Sequence, residues 1–379
     1  MNLKTAVESG KLTQSFEPES IPIEGPFPTW GRRPSIGIDS GSKDCVNLPL
    51  STAVFRINLL PKNAQGCPFL LLAPMEGVGD RCFRKAMASV GGFDEAVTDF
   101  IRVPSNAHVE SLAKVYDATE IDPLPLAVQL MGSDAKLMAA MAQQMQKRGA
   151  RRIDLNCGCP SNTVTGRGAG SSLLKDPDLL YEVAHALSQA VSIPVTIKMR
   201  SGYEDTSLFE ENLLAAQESG ACYITLHPRT KVEGYGPAAR WELIAKAKAK
   251  LRIPVVGNGD ILSVEDAVRM LKQTYCDALM IGRGSITNPF IFREIKAHFA
   301  GQLYRPSWEE MREYLSAYLA QIPLEATERL KINKMKQLMS FLFKGNPALM
   351  ERRQSMLTFT ASHSAAFLDF AIPLLKEGF

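Results

Sequence analysis

Apolar runs of strand length alternate with segments of helical period through the middle of the chain. From residue 69 onward, short runs of apolar and β-branched residues recur, and the segments between them carry apolar residues every three or four positions. The predicted strands are residues 69–75, 94–100, 126–132, 151–157, 194–200, 223–229, 254–260 and 277–283. Helical patterns between them include residues 134–148, 177–191, 242–250 and 264–272. Eight strands alternating with helices over about 230 residues predict an α/β fold of the TIM, or (β/α)8, barrel type.

The competing topology for such an alternation is a doubly wound open sheet. That fold normally carries a glycine-rich GxGxxG turn after its first strand. Residues 73–79 read APMEGVG and lack this spacing. The barrel is therefore favoured.

The two ends of the chain differ from the barrel segment. Residues 1–66 are rich in proline, glycine and serine without a sustained period, which predicts a poorly ordered extension or a small cap on the barrel. The barrel itself is expected over residues 67–300. Residues 301–379 are helical throughout and predict a separate all-helical domain. Its predicted helices are residues 307–321, 326–344, 348–358 and 362–376.

Composition narrows the class of protein without indicating a ligand. Of 379 residues, 45% are hydrophobic and 22% are charged, and neither a run of 18 apolar residues nor a secretory signal is present. Seven scattered cysteines favour a reducing cytoplasm over a disulfide framework, and no residues have metal-ligand spacing. We therefore expect a cytoplasmic protein without membrane span or metal. The formal charge of +3 is compatible with a nucleic-acid partner but does not indicate one.

Polar residues interrupt the predicted strands near their C-terminal ends, where the loops of a TIM barrel form its binding site. An unpaired buried polar side chain costs about 1–3 kcal/mol, so a whole rim of them implies a polar ligand. The rim residues are Pro74, Met75, Glu76, Asp99, Gln129, Asn156, Lys198, His227, Arg229, Asn258, Gly259, Asp260, Gly282 and Arg283.

The last two predicted strands end in glycine-rich turns that suit a phosphate group. Residues 257–260 (GNGD) and 282–284 (GRG) expose backbone N–H groups before a helix, and Arg283 adds a positive charge. These two loops are the usual phosphate site of the fold. The alternative is that the glycines serve only tight turns.

Other rim residues suit a flavin ring. Lys198 could stabilise negative charge on a reduced flavin, and Gln129 could hydrogen-bond its carbonyl groups, although Lys198 could instead form a Schiff base. His227, followed by Pro228 and Arg229, is interpreted as a phosphate or flavin contact, with a structural rim histidine as the alternative.

The most specific motif is Asn-Cys-Gly-Cys-Pro at residues 156–160. Two cysteines this close suit neither a disulfide framework nor a zinc site without a second pair. Cys157 belongs to the predicted strand and should be buried. Cys159 falls in the loop over the barrel mouth, which favours a catalytic acid over a packed small residue.

Seven blocks in order resemble the signature blocks of the tRNA-dihydrouridine synthases. They are APMEGV (73–78), VQLMG (128–132), DLNCGCPS (154–161), IKMR (197–200), LHPRT (226–230), NGD (258–260) and MIGRG (280–284). The resemblance is strong over residues 68–300 and looser beyond. APMEGV, NCGCPS and the helix with residues 334–337 (KMKQ) are most similar to the bacterial C-type subfamily, which modifies U16 of the D-loop.

The resemblance implies a cofactor, a reductant and a reaction. FMN would be held by Pro74, Met75, Glu76, Gln129, Lys198, His227, Asn258, Gly259, Asp260, Gly282 and Arg283. Hydride would pass from the reduced flavin to C6 of a uracil base, NADPH would reduce the flavin again, and Cys159 would protonate C5. The target uridine must leave the tRNA fold to reach the barrel mouth.

The resemblance also implies tRNA contacts at Arg102, Asn156, Tyr235, Lys334 and Lys336. Helical geometry places Lys334 and Lys336 on opposite borders of an apolar face, where they could contact two phosphate strands. The alternative is a set of ordinary solvated lysines. One departure from the family is Asp99, where a glutamate is usual.

Two other functions stay open. Another FMN barrel, similar to dihydroorotate dehydrogenase or an ene-reductase, would act on a small molecule and need no basic helical tail. A non-catalytic RNA-binding barrel would bind tRNA without a flavin. We expect a monomer; which uridine is reduced, and whether NADPH is preferred over NADH, the sequence leaves open.

Overall fold

The computed structural model describes Leu60, residues 66–160 and residues 168–377. The described residues from Leu60 onward belong to one compact unit, and the domain boundary at residue 300 stays a prediction. Most of the N-terminal segment, for which an extension or a cap is predicted, lies outside the described residues. Leu60 packs with Phe69 against the apolar cluster inside the barrel.

The predicted barrel is confirmed, because the strands close into a ring of parallel strands. The strands are β1 (Phe69–Leu72), β2 (Glu95–Val97), β3 (Ile101–Arg102), β4 (Leu126–Met131), β5 (Ile153–Cys157), β6 (Val195–Arg200), β7 (Ile224–His227), β8 (Val255–Asn258) and β9 (Ala278–Ile281). Each pairs in parallel with its neighbour in the order β2-β1-β9-β8-β7-β6-β5-β4-β3, and β2 also pairs with β4 to complete the ring.

One predicted strand is divided. Residues 94–100 were expected to be continuous, but β2 ends at Val97 and the chain pairs with β4 again only at Ile101. Asp99 and Phe100 leave the ladder between these two pieces. Phe100 then packs against Met131 and Cys159, and Asp99 lies 3.6 Å from Arg84 of the first helix after β1.

Thirteen helices are found in the described ranges. They are α1 (Arg81–Val90), α2 (Val109–Ala113), α3 (Ala135–Lys147), α4 (Pro177–Ala190), α5 (Phe209–Glu218), α6 (Glu242–Lys250), α7 (Val264–Thr274), α8 (Arg283–Thr287), α9 (Ile291–Phe299), α10 (Trp308–Gln321), α11 (Glu328–Gly345), α12 (Met350–Thr358) and α13 (Ser364–Lys376). Side-chain caps fix several starts: Asp134 accepts from Leu137 N–H, and Ser307 with Glu310 forms a capping box. None of the described helices combines the length and apolar character needed to cross a membrane.

Successive side chains of a strand point alternately to the barrel interior and to the surrounding helices. On β6, Val195, Ile197 and Met199 belong to the apolar core that the helices cover. Thr196 and Lys198 therefore face the interior, because successive side chains of a strand point to opposite sides. The same alternation turns Cys157 outward into the core, where it is fully buried.

The helical tail packs directly on the barrel. Helix α10 lies along α1, and α11 contacts α8. Gly345 approaches α8 so closely that an added Cβ would lie 2.7 Å from the carbonyl oxygen of Thr287. The tail therefore borders the loops at the carboxyl ends of the strands.

Candidate functional site

A cavity opens at the carboxyl ends of the strands, and the space between its wall atoms, open solvent included, is about 590 Å³. Of the residues predicted to hold a cofactor, nine line it: Pro74, Met75, Lys198, His227, Asn258, Gly259, Asp260, Gly282 and Arg283. Two others, Glu76 and Gln129, lie outside its wall. The loops after β8 and β9 form one side, as in the phosphate sites of this fold.

The cavity wall is rich in cations. Lys198, Arg200 and Arg283 line it, whereas its carboxylate, Asp260, is paired with both Arg229 and Arg283. Burial lowers the pKa of Lys198 to about 8, with a smaller contribution from Arg200, so the amine titrates close to neutral pH. Such a wall favours an anionic ligand.

His227 supplies a neutral ring to the same wall. Burial, reinforced by Lys198 and Arg200, lowers the pKa of its imidazole to about 2. Its Nδ1 is buried and finds no hydrogen-bond partner among the described residues. A buried polar atom without a partner is costly, and a ligand in this cavity could satisfy it.

The glycines of the two loops serve different purposes. Gly259 has φ +118°, a conformation that excludes ordinary side chains, and it follows Asn258 at the end of β8. At Gly284 an added Cβ would lie 2.2 Å from the carbonyl oxygen of Ile261. This glycine is therefore required by the tight turn itself, as in the alternative considered from the sequence. A Cβ added at Gly282 would make only ordinary van der Waals contacts, and Gly282 lines the cavity.

Asp260 holds the loop and its arginines in place. Its carboxylate accepts from Ala239 N–H at 2.9 Å, from Arg229 at both oxygens and from Arg283 at 2.7 Å. Its φ of 53° lies in the left-handed region. The buried Arg229 is a feature that sequence reasoning left without a role.

Gln129 lies beneath the cavity in a chain of buried amides and carboxylates. Its Nε2 donates to Asp154 at 2.7 Å, and its Oε1 accepts from Asn156 Nδ2 at 2.7 Å. Asn156 Oδ1 then accepts the backbone N–H groups of Gly158 and Cys159 at 3.0 and 2.9 Å. Asn156 therefore fixes the loop that carries Cys159.

Cys159 lies in that loop, directly after Gly158, which lines the cavity. Only 6% of it is exposed, and it packs with Met131, Ala169 and Phe100. Its Sγ lies 3.6 Å from Oε2 of Glu76, which comes from the loop after β1. A thiol with such a partner at a barrel mouth can transfer a proton to a bound molecule.

Arg200 is a site residue that the sequence patterns did not single out. It donates to the carbonyl oxygens of Gly158, Thr230 and Gly234 at 2.8–2.9 Å and so ties three loops together. Its guanidinium lies 5.2 Å from the ring centre of Tyr235. Only its position as the last residue of the IKMR block, on the interior face of β6, could have signalled this role.

Tyr235, a predicted RNA contact, belongs to the rim of the cavity. It is 55% exposed, and its ring lies 4.6 Å from the guanidinium carbon of Arg283. The ring of His227 meets it edge-on at 6.0 Å between centroids. Tyr235 can therefore contact both a ligand in the cavity and one entering from solvent.

The remaining predicted RNA contacts are further apart. Lys334 pairs with Asp80 beside the loop after β1, and Gln337 donates to the carbonyl oxygen of Gly77 at 3.0 Å. Lys336 donates to the carbonyl oxygens of Leu357 and Phe359 at the end of α12. Arg102 lies partly buried on β3.

Asp99, in the segment between β2 and β3, is a partly buried acid. Its Oδ2 lies 3.6 Å from Arg84, whereas its Oδ1 is buried and has no hydrogen-bond partner in the described ranges. Burial raises the pKa of Asp99 to about 6, against the opposing pull of Arg84. The folded chain thus binds this proton more tightly than the unfolded chain does, and the associated stability is lost as pH rises through about 6.

We expect Asp99→Asn to be more stable than the parent above pH 7 by about 1 kcal/mol. The full shift corresponds to roughly 3 kcal/mol, but the side chain is 39% exposed and solvent screening reduces the effect. The difference should become small near pH 4, where the aspartate is protonated in the folded state and about half protonated in the unfolded state. Urea unfolding of both proteins at pH 4 and pH 8 measures it; an asparagine variant that is the less stable at pH 8 would show that the Arg84 contact outweighs burial.

Among residues 66–160 and 168–377, no group of three or more His, Cys, Asp or Glu side chains has the arrangement of a metal site.

Comparison with known proteins identifies strong relatives. A family model for dihydrouridine synthase matches residues 71–372. A tRNA-dihydrouridine(16) synthase of Neisseria meningitidis serogroup B is 36% identical over 286 residues, covering 73% of this chain and 86% of that protein. A tRNA-dihydrouridine(16) synthase of Pseudomonas syringae pv. tomato is 37% identical over 287 residues, covering 73% and 90%. A probable tRNA-dihydrouridine synthase 1 of Synechocystis is 38% identical over 233 residues, covering 61% and 65%.

Similar solved structures are more distant. The 6-hydroxypseudooxynicotine amine oxidase of Pseudomonas geniculata N1 is 14% identical with a TM-score of 0.47, and the match covers 62% of this chain and 47% of that one. A 2-naphthoyl-CoA reductase complex is 12% identical with a TM-score of 0.46, covering 62% and 50%.

Proposed function

This chain belongs to the dihydrouridine synthase family, and from that premise we propose that it reduces the C5–C6 bond of a D-loop uridine in tRNA, with FMN as its bound cofactor and NADPH as the reductant. The observation that carries the proposal is a cationic cavity at the barrel mouth whose wall continues into the loop of Cys159. A base delivered over this cavity would meet the cofactor and the thiol together.

The residues of the cavity fit FMN. The phosphate group would bind at Arg283 and the backbone of Gly259 and Gly282, and Lys198 would lie beside the electron-rich ring. Neutral His227, with its unpartnered Nδ1, would hydrogen-bond the flavin. Asn258 donates its amide to Met280 O at 2.8 Å, so its side chain would shape the floor. When bound and reduced, FMN would supply the hydride for C6 of the uracil.

Cys159 would act as the general acid. Hydride addition at C6 leaves negative charge at C5, and the thiol proton would neutralise it, with the S–H electron pair remaining on sulfur. Asn156 would support this step by fixing the loop backbone on either side of Gly158. The uridine must be unstacked to reach this depth, as in other base-modifying enzymes.

The tail would bind the tRNA backbone. Arg102 and Tyr235 lie near the mouth, and Lys334 reaches the same side from α11. Asn156 is buried and bonded to Gln129, Gly158 and Cys159, so it would act through the loop that it holds. Lys334 would exchange its contact with Asp80 for a phosphate, which makes its contribution dependent on salt. Lys336, held by two carbonyl oxygens, would orient α12 and contact phosphate less directly.

The test is a position-resolved assay. Transfer RNA lacking dihydrouridine is incubated with the purified protein and NADPH, digested, and mapped by mass spectrometry. We expect a mass gain of two hydrogens at position 16, the position in the names of the Neisseria and Pseudomonas relatives. Reduction at another D-loop position would correct the target alone; NADPH oxidation with no tRNA uridine reduced would reject the RNA substrate.

Arg283→Ala should weaken flavin binding about 10–100-fold, because charge-assisted hydrogen bonds to phosphate contribute roughly 1.5–3 kcal/mol. Arg269→Ala is a matched control, since Arg269 also pairs with an aspartate and lies 4.9 Å from an aromatic ring, that of Trp241. Flavin release, followed by fluorescence and mass spectrometry, gives both the affinity and the identity of the cofactor. Equal affinities in the two variants would remove Arg283 from the phosphate site.

A further inference from the structure

Glu76 is placed to control the thiol of Cys159 from the opposite side of the mouth. Its carboxylate is the acceptor of the Sγ contact at 3.6 Å, yet the residue itself is exposed. The loop that carries it is rigid: Val78 and Gly79 N–H both donate to Met75 O, and Gly77, at φ +80°, is held through its carbonyl oxygen by Gln337 of α11. These contacts hold the backbone on both sides of Glu76, from which its carboxylate reaches the thiol.

The charges around Cys159 oppose one another. Lys198 and Arg200, both on the interior face of β6, interact electrostatically with the thiol. Cations at such distances favour a thiolate, and a thiolate has no proton to give. The apolar side chains of Phe100, Met131 and Ala169 also pack around Cys159. The carboxylate of Glu76 contacts the sulfur at 3.6 Å, and its negative charge opposes the two cations.

We propose that Glu76 is a positioning residue that keeps Cys159 protonated and aims its S–H bond until the base arrives; this rests on the proposed function. After the proton moves to C5, the thiolate lies beside the Glu76 carboxylate, and like charges at short distance destabilise it. The thiolate then takes a proton from water at the exposed side of Glu76. One solvent proton replaces the one transferred, and no other reactant is required.

The experiment measures the thiol directly. The rate of Cys159 alkylation by iodoacetamide is followed from pH 5 to 10 by peptide mass spectrometry on the flavin-loaded protein and on Glu76→Gln. Removing a neighbouring negative charge lowers a thiol pKa by about one unit, so alkylation of the variant at pH 7 should be about tenfold faster. The alkaline limb of dihydrouridine formation should move to lower pH by the same amount.

Two further variants make the result decisive. Glu76→Asp retains the charge on a shorter side chain, so its alkylation rate at pH 7 should lie between those of the parent and Glu76→Gln. The same variant tests the proposal if Glu76→Gln fails to fold. Glu204→Gln, at an exposed rim carboxylate paired with Lys175, should leave the alkylation profile unchanged. An unchanged profile in Glu76→Gln, whatever happens to turnover, overturns the proposal. A parent protein that makes no dihydrouridine would instead reject the proposed function, and the alkylation profiles would still be interpretable.

Discussion

Replacing Cys159 with alanine should slow dihydrouridine formation by about 10²–10⁴-fold, the usual contribution of a positioned general acid. The variant should keep the cavity wall, because Cys159 is not one of the lining residues and its contacts to Asn156 and Ser171 are made by its backbone. Flavin content and tRNA affinity should therefore stay at the parent's values. Single-turnover mixing of reduced protein with tRNA isolates the chemical step.

The control for this substitution is Cys222→Ala. Cys222 is a partly buried thiol just before β7, at the opposite end of the barrel from the mouth. Its removal should change the single-turnover rate by less than about twofold. If Cys159→Ala were equally active, protonation of C5 would have to come from another group, and Cys159 would return to the role of a packed small residue.

The largest expected effect on stability is at Arg152, inside the barrel. Arg152→Met should lower the free energy of unfolding by about 3–5 kcal/mol. The guanidinium donates to Glu95 at 3.0 Å and lies 3.5 Å from Asp154, and its side chain is 3% exposed. Methionine fills most of the volume but leaves two buried carboxylates without their cation.

Arg252→Met is the matched comparison for that variant. Arg252 also pairs with a glutamate, Glu218 at 3.0 Å, but its side chain is 81% exposed, so the loss should stay within about 0.5 kcal/mol. Urea denaturation followed by circular dichroism measures both. Equal stabilities of the two variants would show that water or local rearrangement compensates the carboxylates around Arg152.

The periodicity of apolar residues and the residues that begin and end helices were enough to predict the barrel and the helices of the tail. The eight predicted strands overlap the observed ones, and predicted helix 307–321 differs from Trp308–Gln321 by a single residue, because Ser307 and Glu310 form a local capping box. The period of two also places Lys198 inside the barrel. These patterns involve residues that are close in sequence, so they can be recognised without the tertiary structure.

Contacts between distant loops could not be predicted in this way. The three carbonyl oxygens that Arg200 reaches lie between 30 and 42 residues away along the chain. Lys336 belongs to a helix whose pattern marks it as a surface cation, yet it binds the end of α12. The position of Glu76 against Cys159 depends on two loops that only barrel closure brings together. The roles assigned to the site residues remain predictions, to be tested as above.

The packing of α10 on α1 has a consequence for how the protein is made. The side of α1 that packs on α10 includes Cys82, which is buried and donates its S–H to Gln321 O at 3.2 Å. Its covering helix begins at Trp308, 218 residues after α1 ends at Val90. At about 5–20 residues per second, a ribosome needs roughly 10–45 s to synthesise that interval. During this time the uncovered side of α1 is available to chaperones. A chain that ends before residue 308 would never cover it.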